Sequence, residues 1–457
     1  MAVRPVVRSV LSKVVQGILY RNPGGLLPNQ ILPPSGFGWT PPVRIFNNAG
    51  VYSTDYDPTP FLIEGDPGVT TYYVDSDTGN DGNPGTSGSP KKTLTTITGG
   101  RVTKLLIKAR GKFYVSDGGS IQMGHDNLCV EAWGGASCII TTEASPNFPY
   151  VWTDEGGGVW SAPSPYTLHN SHRPYSGTNI ETLVPYTAAA DVTACQATAG
   201  SWVRTTGPIK HWVHTSDGSS PATGHTIFGN NGSACSYNAS TSAFVQRIAF
   251  HGISFHGGDA AFLVSGTNVT YTKRLDFVNC NFKRAGQFAA MASNGTTEII
   301  SYGCTAGPSS FDGFSYTTPT GAAGGGAVPN AIEINCTGRY CGNTSTGANQ
   351  GSTTHFTGKL IRVNGQYYNN ADDQIADVGA DTRSWNLGCT LGPKGVGSSK
   401  SGAQAGNDGT DIRMWFDGCT FTGLDYGWGA ASGATIYYKN QSAPSTNPSS
   451  TGTITTY

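Results

Sequence analysis

Residues 251–421 repeat one short phrase: His251-Gly252-Ile253-Ser254-Phe255, Asn279-Cys280-Asn281-Phe282, Gly303-Cys304-Thr305-Ala306, Asn335-Cys336-Thr337-Gly338, Asn364-Gly365-Gln366-Tyr367, Gly388-Cys389-Thr390-Leu391 and Gly418-Cys419-Thr420-Phe421. Counted from Gly252 through Cys280, Cys304, Cys336, Gly365 and Cys389 to Cys419, the steps are 28, 24, 32, 29, 24 and 30 residues. Most copies follow a β-rich run, such as Leu275-Asp276-Phe277-Val278, Glu298-Ile299-Ile300-Ser301 or Leu360-Ile361-Arg362-Val363. A period of this size is one supersecondary unit stacked on the next. No helical stretch stands between the strands, which excludes leucine-rich and helical solenoids and leaves a parallel β-solenoid with one coil per repeat. The Gly or Cys of the phrase is expected where the chain turns inward, so the cysteines should stack in an internal column. Strands must keep register and turns need not, so the extra residues of the long steps belong in protruding loops. Those loops are where a ligand site is expected.

Composition agrees. Gly contributes 63 of 457 residues and charged residues only 12%, against about 25% in ordinary globular chains. Many tight turns between short strands suit that balance. Hydrophobic content of 37% and a net charge of −1 exclude a disordered polyelectrolyte, and no basic run points to nucleic acid. Ten cysteines are too dilute for a disulfide scaffold, and those at the repeated turn read as small buried thiols. Cys336 and Cys341 are close enough in sequence to bridge, but nothing requires it. No zinc spacing, cofactor motif or membrane span is present, and the segment from Met1 to Leu19 is too interrupted by polar residues for a cleaved signal peptide.

Outside the repeats, Val7, Val10, Leu11, Val14, Val15 and Ile18 predict an amphipathic helix over residues 5–20. Its apolar stripe needs a partner: copies of itself, a docking surface, or its own β-domain. Residues 23–60 hold eight prolines and are expected to be an extended tether lying along another protein. Residues 61–143 contain strands of plausible first coils. Residues 144–245 break the rhythm with aromatics and histidines, including Tyr150, Trp152, Tyr166, His169, His172, Tyr175 and Trp212, and predict a β-rich insertion whose rings either form a core or stack on sugars. Residues 246–421 are regular coils, and 422–457 a closing coil or cap.

Asp75-Ser76-Asp77-Thr78-Gly79-Asn80-Asp81, ending at Pro90-Lys91-Lys92-Thr93-Leu94, reads as turn chemistry rather than an EF-hand, whose twelfth position here is Gly88. The stretch resembles the opening of right-handed parallel β-helix proteins of carbohydrate-active and phage tailspike type. The phrases Asp312-Gly313-Phe314, Asn330-Ala331-Ile332-Glu333, Arg362-Val363-Asn364-Gly365 and Ser384-Trp385-Asn386-Leu387-Gly388 also resemble phage tail β-helices. The resemblance covers roughly residues 70–421 and implies an all-β, right-handed parallel β-helix carried by a short N-terminal helix and a Pro-rich anchor. It further implies a homotrimer on the virion, made in the host cytoplasm without a signal peptide. Residues 1–60 would attach it to a tail or baseplate protein, and the coils would bind a bacterial surface polysaccharide, with or without depolymerising it. A free secreted lyase or hydrolase and a non-catalytic virion appendage are the alternatives.

Candidate chemistry lies in two acidic loops, one with Asp312, the other with Asp372, Asp373, Asp377 and Asp381, with His355 between them. Neighbouring coils bring distant residues to about 4.8 Å spacing, so Asp312, Glu333, His355 and the Asp372/Asp373 pair are expected to share one face. Glycosidic hydrolysis needs one carboxyl to protonate the leaving oxygen and a second to attack or activate water. A lyase needs a base and a neutraliser of the uronate, for which His355, Tyr367 or Arg362 are the available types. The candidate catalytic set is Asp312, Glu333, His355, Asp372, Asp373 and Asp377, and Tyr367, Tyr368 and Trp385 are candidate sugar-binding rings. Turn capping and solvated charge are the competing explanation of these aspartates.

Overall fold

The repeated phrase is the corner of each coil. Its leading residue takes a left-handed conformation, with φ of +70° at Gly252, +52° at Asn279, +63° at Gly303, +53° at Asn335 and Asn364, +59° at Gly388 and +64° at Gly418. That conformation costs most L-residues about 1–2 kcal/mol but suits Gly and is tolerated by Asn, which explains the alternation of these two residues. Strand pairing sets Ser254 opposite Asn281. Gly252 therefore aligns with Asn279 and Ile253 with Cys280, one residue away from the alignment assumed in counting the repeat. The computed structural model describes residues 26–457 except 98–100, 122, 147–149, 164–171, 208, 230–232, 239–245, 266–272, 293–296, 318–328, 343–348, 396–400, 407–410 and 442–444.

Three long parallel sheets run along the stack. Sheet I starts at Thr70–Asp75, continues through Lys104–Tyr114, Asn127–Ala132, Gln246–His251 and Lys273–Val278, and ends at Ala434–Lys439 and Thr453–Thr456. Sheet II follows the corner, from residues 111–114, Cys138–Thr141 and Ile253–His256 to Thr420–Phe421. Sheet III runs from Ser233–Asn238 and Ala260–Ser265 to Tyr426–Ala430. Each strand pairs with the equivalent strand one coil on, the arrangement of a parallel β-helix. Equivalent rings stack accordingly: Phe250 on Phe277 at 5.6 Å and Phe255 on Phe282 at 5.5 Å. The cysteines form the expected column, each thiol donating to a carbonyl of the preceding coil, as Cys280 to Phe250, Cys304 to Phe277 and Cys336 to Ser301, all at 3.3 Å. All ten are buried and free, Cys336 and Cys341 included. Gly365 interrupts the column because the Tyr367 ring occupies the space: a Cβ there would lie 2.5 Å from the phenol oxygen.

In the middle coils the usual polarity reverses. The inward column of sheet I reads Phe250, Phe277, Ser301, Glu333, Arg362, Asn386, Phe416 along the stack. The outward column reads Ile300, Ile332, Ile361, Trp385, Trp415 over the same coils. Residues 26–57 cover that outer strip. Gln30–Ile31, Ile45–Asn48 and Val51–Thr54 form a small antiparallel sheet, and Phe37 sits 6.5 Å from Trp385 and 6.1 Å from Trp415. From residue 26 onward the proline-rich stretch is therefore not an extended tether along another protein. It folds back on its own coils, because strand alternation leaves a row of Ile and Trp that water would otherwise meet. The helix predicted over residues 5–20 lies outside the described residues, as do Tyr166 and His169.

The insertion leaves the stack after Cys138–Thr141 and returns at Ser233–Asn238, before the boundary at 245 read from the sequence. It contains a sheet of Thr153–Gly156, Val159–Pro163, Ile209–His214, Ser201–Thr206 and Thr187–Ala188. A smaller sheet places His172–Ser176 between Val184–Pro185 and His225–Gly229. Tyr150 and Trp152 stack at 5.2 Å within it. The Asp75 loop is turn chemistry: one Asp75 oxygen accepts from the Asp77 and Thr78 amides and the other from Arg110 at 2.7 Å.

Candidate active site on the outer face of sheet III

Sheet III strands alternate between the interior and an outer face. In the strand Ser352–His355, Thr353 and His355 take the outward positions, and His355 pairs with Val378. Outward residues Ala376, Val378 and Gln404 floor an open cleft of about 790 Å³, with Asp372 and Asp373 on one wall and the C-terminal loop around Asn447 and Thr451 on the other. The structure thus brings Asp312, His355, Asp372 and Asp373 to one side of the stack.

Their environments differ. Asp372 is half-buried, while Asp373 is held by the Ser401 amide at 2.7 Å and is only 7% exposed. Asp312 is fully enclosed beneath the cleft wall and accepts from the Gln350 amide and the Thr353 hydroxyl, each at 3.0 Å. Burial raises its carboxyl to about 6; the Gln350, Thr353 and Ser315 hydrogen bonds oppose the rise and the Asp372 charge adds to it. The enclosed Asp312 carboxyl therefore holds its proton more tightly than an ordinary aspartate does.

Glu333 and Asp377 point the other way. Glu333 lies inside the stack, accepting from Ser352 at 2.7 Å and from Tyr367 at 2.5 Å. Arg362, also fully buried, donates to Ser352 and Asn386 and stands 3.7 Å from Asp377. Burial raises the Asp377 carboxyl to about 6, with Arg362 opposing it, and raises Glu333 in the same sense. These groups and Tyr367 are enclosed by the three sheets, so none of them touches a polymer bound outside. Trp385 is 2% exposed beneath Phe37 and offers no face to a sugar. Tyr368 is half-buried on the outer side of sheet II, edge-on to Tyr340 at 6.1 Å.

Inward and outward positions explain the split. Glu333 follows Ile332 in a strand whose two faces are both buried, so hydropathy alone could not say which side faced in. Gln350, Gln404 and the 447–451 loop were missed for another reason. Gln404 alternates like any strand residue, and the return of the C-terminal loop beside coil residues has no local signal. Among the described residues no cluster of three or more His, Cys, Asp or Glu is placed to hold a metal ion.

No protein-family model and no curated protein matches the chain. Solved structures do. One described as a glycoside hydrolase aligns over 84% of this chain and 96% of its own, with a TM-score of 0.52 at 9% identity. The complex of XylC with xylose (TM-score 0.39, 11% identity, 82% of this chain and 77% of its own) and pectate lyase Pel9A (0.38, 11%, 80% and 78%) align more loosely. At these identities the likeness is one of fold.

Proposed function

We propose that this chain binds a bacterial surface polysaccharide in the cleft on sheet III and hydrolyses it there, in the manner of a phage tailspike built on a right-handed β-helix. The observation that carries the proposal is the cleft itself. It is open and lined by amides, hydroxyls and small residues, with carboxylates along one wall. Such a surface matches a hydroxyl-rich polymer that must enter from the side rather than a small molecule that must be enclosed. The fold shared with a protein described as a glycoside hydrolase supports the reading.

In this reading Asp372 and Asp373 touch the sugar. One delivers a proton to the leaving oxygen while the other, ionised, attacks or activates water. Asp312 does not reach the substrate. It is a positioning residue whose proton and charge bias the carboxyls above it. Residues 1–60 would join the protein to the virion through their leading part, and three copies would assemble.

The test is incubation of the purified chain with capsule, exopolysaccharide and lipopolysaccharide, following reducing ends and the absorbance of unsaturated uronates. New reducing ends without that absorbance, lost in Asp372→Asn, are expected. Unsaturated products would replace hydrolysis with elimination. Binding without fragments would make the protein an adhesin.

A further inference from the structure

A second cleft, of about 570 Å³, opens between the insertion and the corner that follows sheet II. Its coil-side wall includes Arg284, Pro308 and Tyr340, which hold equivalent corner positions on successive coils. Pairing of Lys283 with His256, and of Arg339 with Tyr368, aligns the residue after each: Gly257, Arg284, Tyr340 and Asn369. All four are left-handed, with φ of +81°, +58°, +54° and +56°, and Gly423 at the same corner has +58°. Gly and Asn are the residues that adopt this conformation at least cost. Arg284 and Tyr340 do not share that advantage, yet they occupy the corner in two coils, and both line the cleft. A bulky residue held in this conformation points to a use for its side chain.

The side chains have that use in common. Arg284 is 7% exposed, donates to the Ile180 carbonyl at 2.7 Å and lies over the Tyr175 ring. Arg339 reaches Glu181 at 3.2 Å, and its Nε is buried without a partner among the described residues. Lys283 also pairs with Glu181. Three cations thus face a single carboxylate. Tyr340 is 46% exposed at the rim, with Tyr368 edge-on behind it. Guanidinium forks bind planar or tetrahedral oxyanions, and an exposed ring accepts the apolar face of a sugar.

We infer that this cleft is a second glycan site, separate from the acidic cleft on sheet III, and that it takes a sugar bearing an oxyanion, either carboxylate or phosphate. Arg284 and Arg339 bind the anion and Tyr340 stacks on the ring. The left-handed corner sets the angle at which Arg284 and Tyr340 enter the cleft, which an extended residue there would not reproduce.

Calorimetry with trigalacturonate, glucose 6-phosphate and maltotriose tests this. An anionic probe should bind and neutral maltotriose should not. Arg339→Gln should weaken anion binding tenfold or more, with a response to salt that the wild type shows and the variant loses. Tyr340→Gly should weaken trigalacturonate while the melting temperature stays constant or rises, since Gly relieves the corner. Loss of anion binding in Arg339→Gln places that binding in this cleft rather than in the acidic one, whose wall carries carboxylates. Preference for the uronate assigns a carboxylated glycan, and preference for the phosphate a phosphorylated one. The inference is overturned if maltotriose binds as well as the anions, if no probe binds, or if Tyr340→Gly lowers the melting temperature and leaves binding intact.

Discussion

Replacing Arg362 with Leu should loosen the middle of the stack far more than its ends. Arg362 is wholly buried and is the cation that faces Glu333 across the strand pair and Asp377 at 3.7 Å. Its hydrogen bonds to Ser352 and Asn386 are lost with it. Removing one partner of a buried charge pair costs about 3–5 kcal/mol, because the remaining charge has neither water nor a counter-ion. The cost should depend on pH. Burial pushes the Asp377 carboxyl up to about 6 from an ordinary 3.8, against the pull of Arg362, so the folded state holds its proton more tightly. Its contribution to stability is complete below 3.8 and is lost as pH rises through 6. Without Arg362 the carboxyls rise further, so protonation near pH 4.5 should restore part of the loss seen at pH 7. A repeat array need not unfold in one step, so the assay is native-state hydrogen exchange of the amides from 330 to 391. An opening free energy within 1 kcal/mol of the wild type at pH 7, or a loss just as large at pH 4.5, would refute the account of a charged pair inside the coils.

Other perturbations follow from single contacts. Phe37→Ala uncovers Trp385 and Trp415 and should cost about 3–5 kcal/mol, with dye binding to the exposed strip as the accompanying signal. Gly365→Ala places a methyl within 2.5 Å of the Tyr367 oxygen and should lower stability by about 1–3 kcal/mol, measured by the melting temperature. None of the ten thiols should react with a bulky disulfide reagent in the native protein, since all are buried; burial also holds Cys138 and Cys235 well above the usual thiol range. Asp312→Asn should shift the acidic limb of the cleavage profile, measured as reducing ends against pH, while glycan binding persists, because the side chain lies beneath the cleft wall.

Much of this molecule was legible in the chain. Glycine or asparagine, followed by cysteine in five of the seven copies, marks a corner that needs a left-handed residue, and that chemistry is local. The cysteine column, the strands and the position of the loops followed from it. The candidate site was legible only where position rather than side decided. Asp372 and Asp373 lie in a loop, whose residues tend to reach the surface, and His355 follows Thr353 by two on a strand. Glu333 and Asp377 sit in strands flanked by apolar residues on both sides, where period-2 alternation gives no inside or outside. Trp385 looked like a sugar platform because the segment that covers it lies some 350 residues earlier in the chain.

That segment and the buried charges are two consequences of one feature. A strand has two faces, and the middle strands of sheet I carry Ile300, Ile332, Ile361 and Trp385 on one and Ser301, Glu333, Arg362 and Asn386 on the other. Exposing the polar face and burying the apolar one would be the ordinary solution for a sheet with one side in water. Here the register inherited from the flanking coils, where Phe250, Phe277 and Phe416 point inward, forces the polar row inside, since a shift by one residue would flip every strand in the column. The polar row then requires partners, which Ser352, Tyr367 and Asp377 supply from the other two sheets. The apolar row requires a cover, which residues 26–57 supply from outside. Loss of the cover should therefore destabilise the same coils that depend on the internal ion network, and Phe37→Ala combined with Arg362→Leu should cost more than the sum of the two alone, because both act on one strand set.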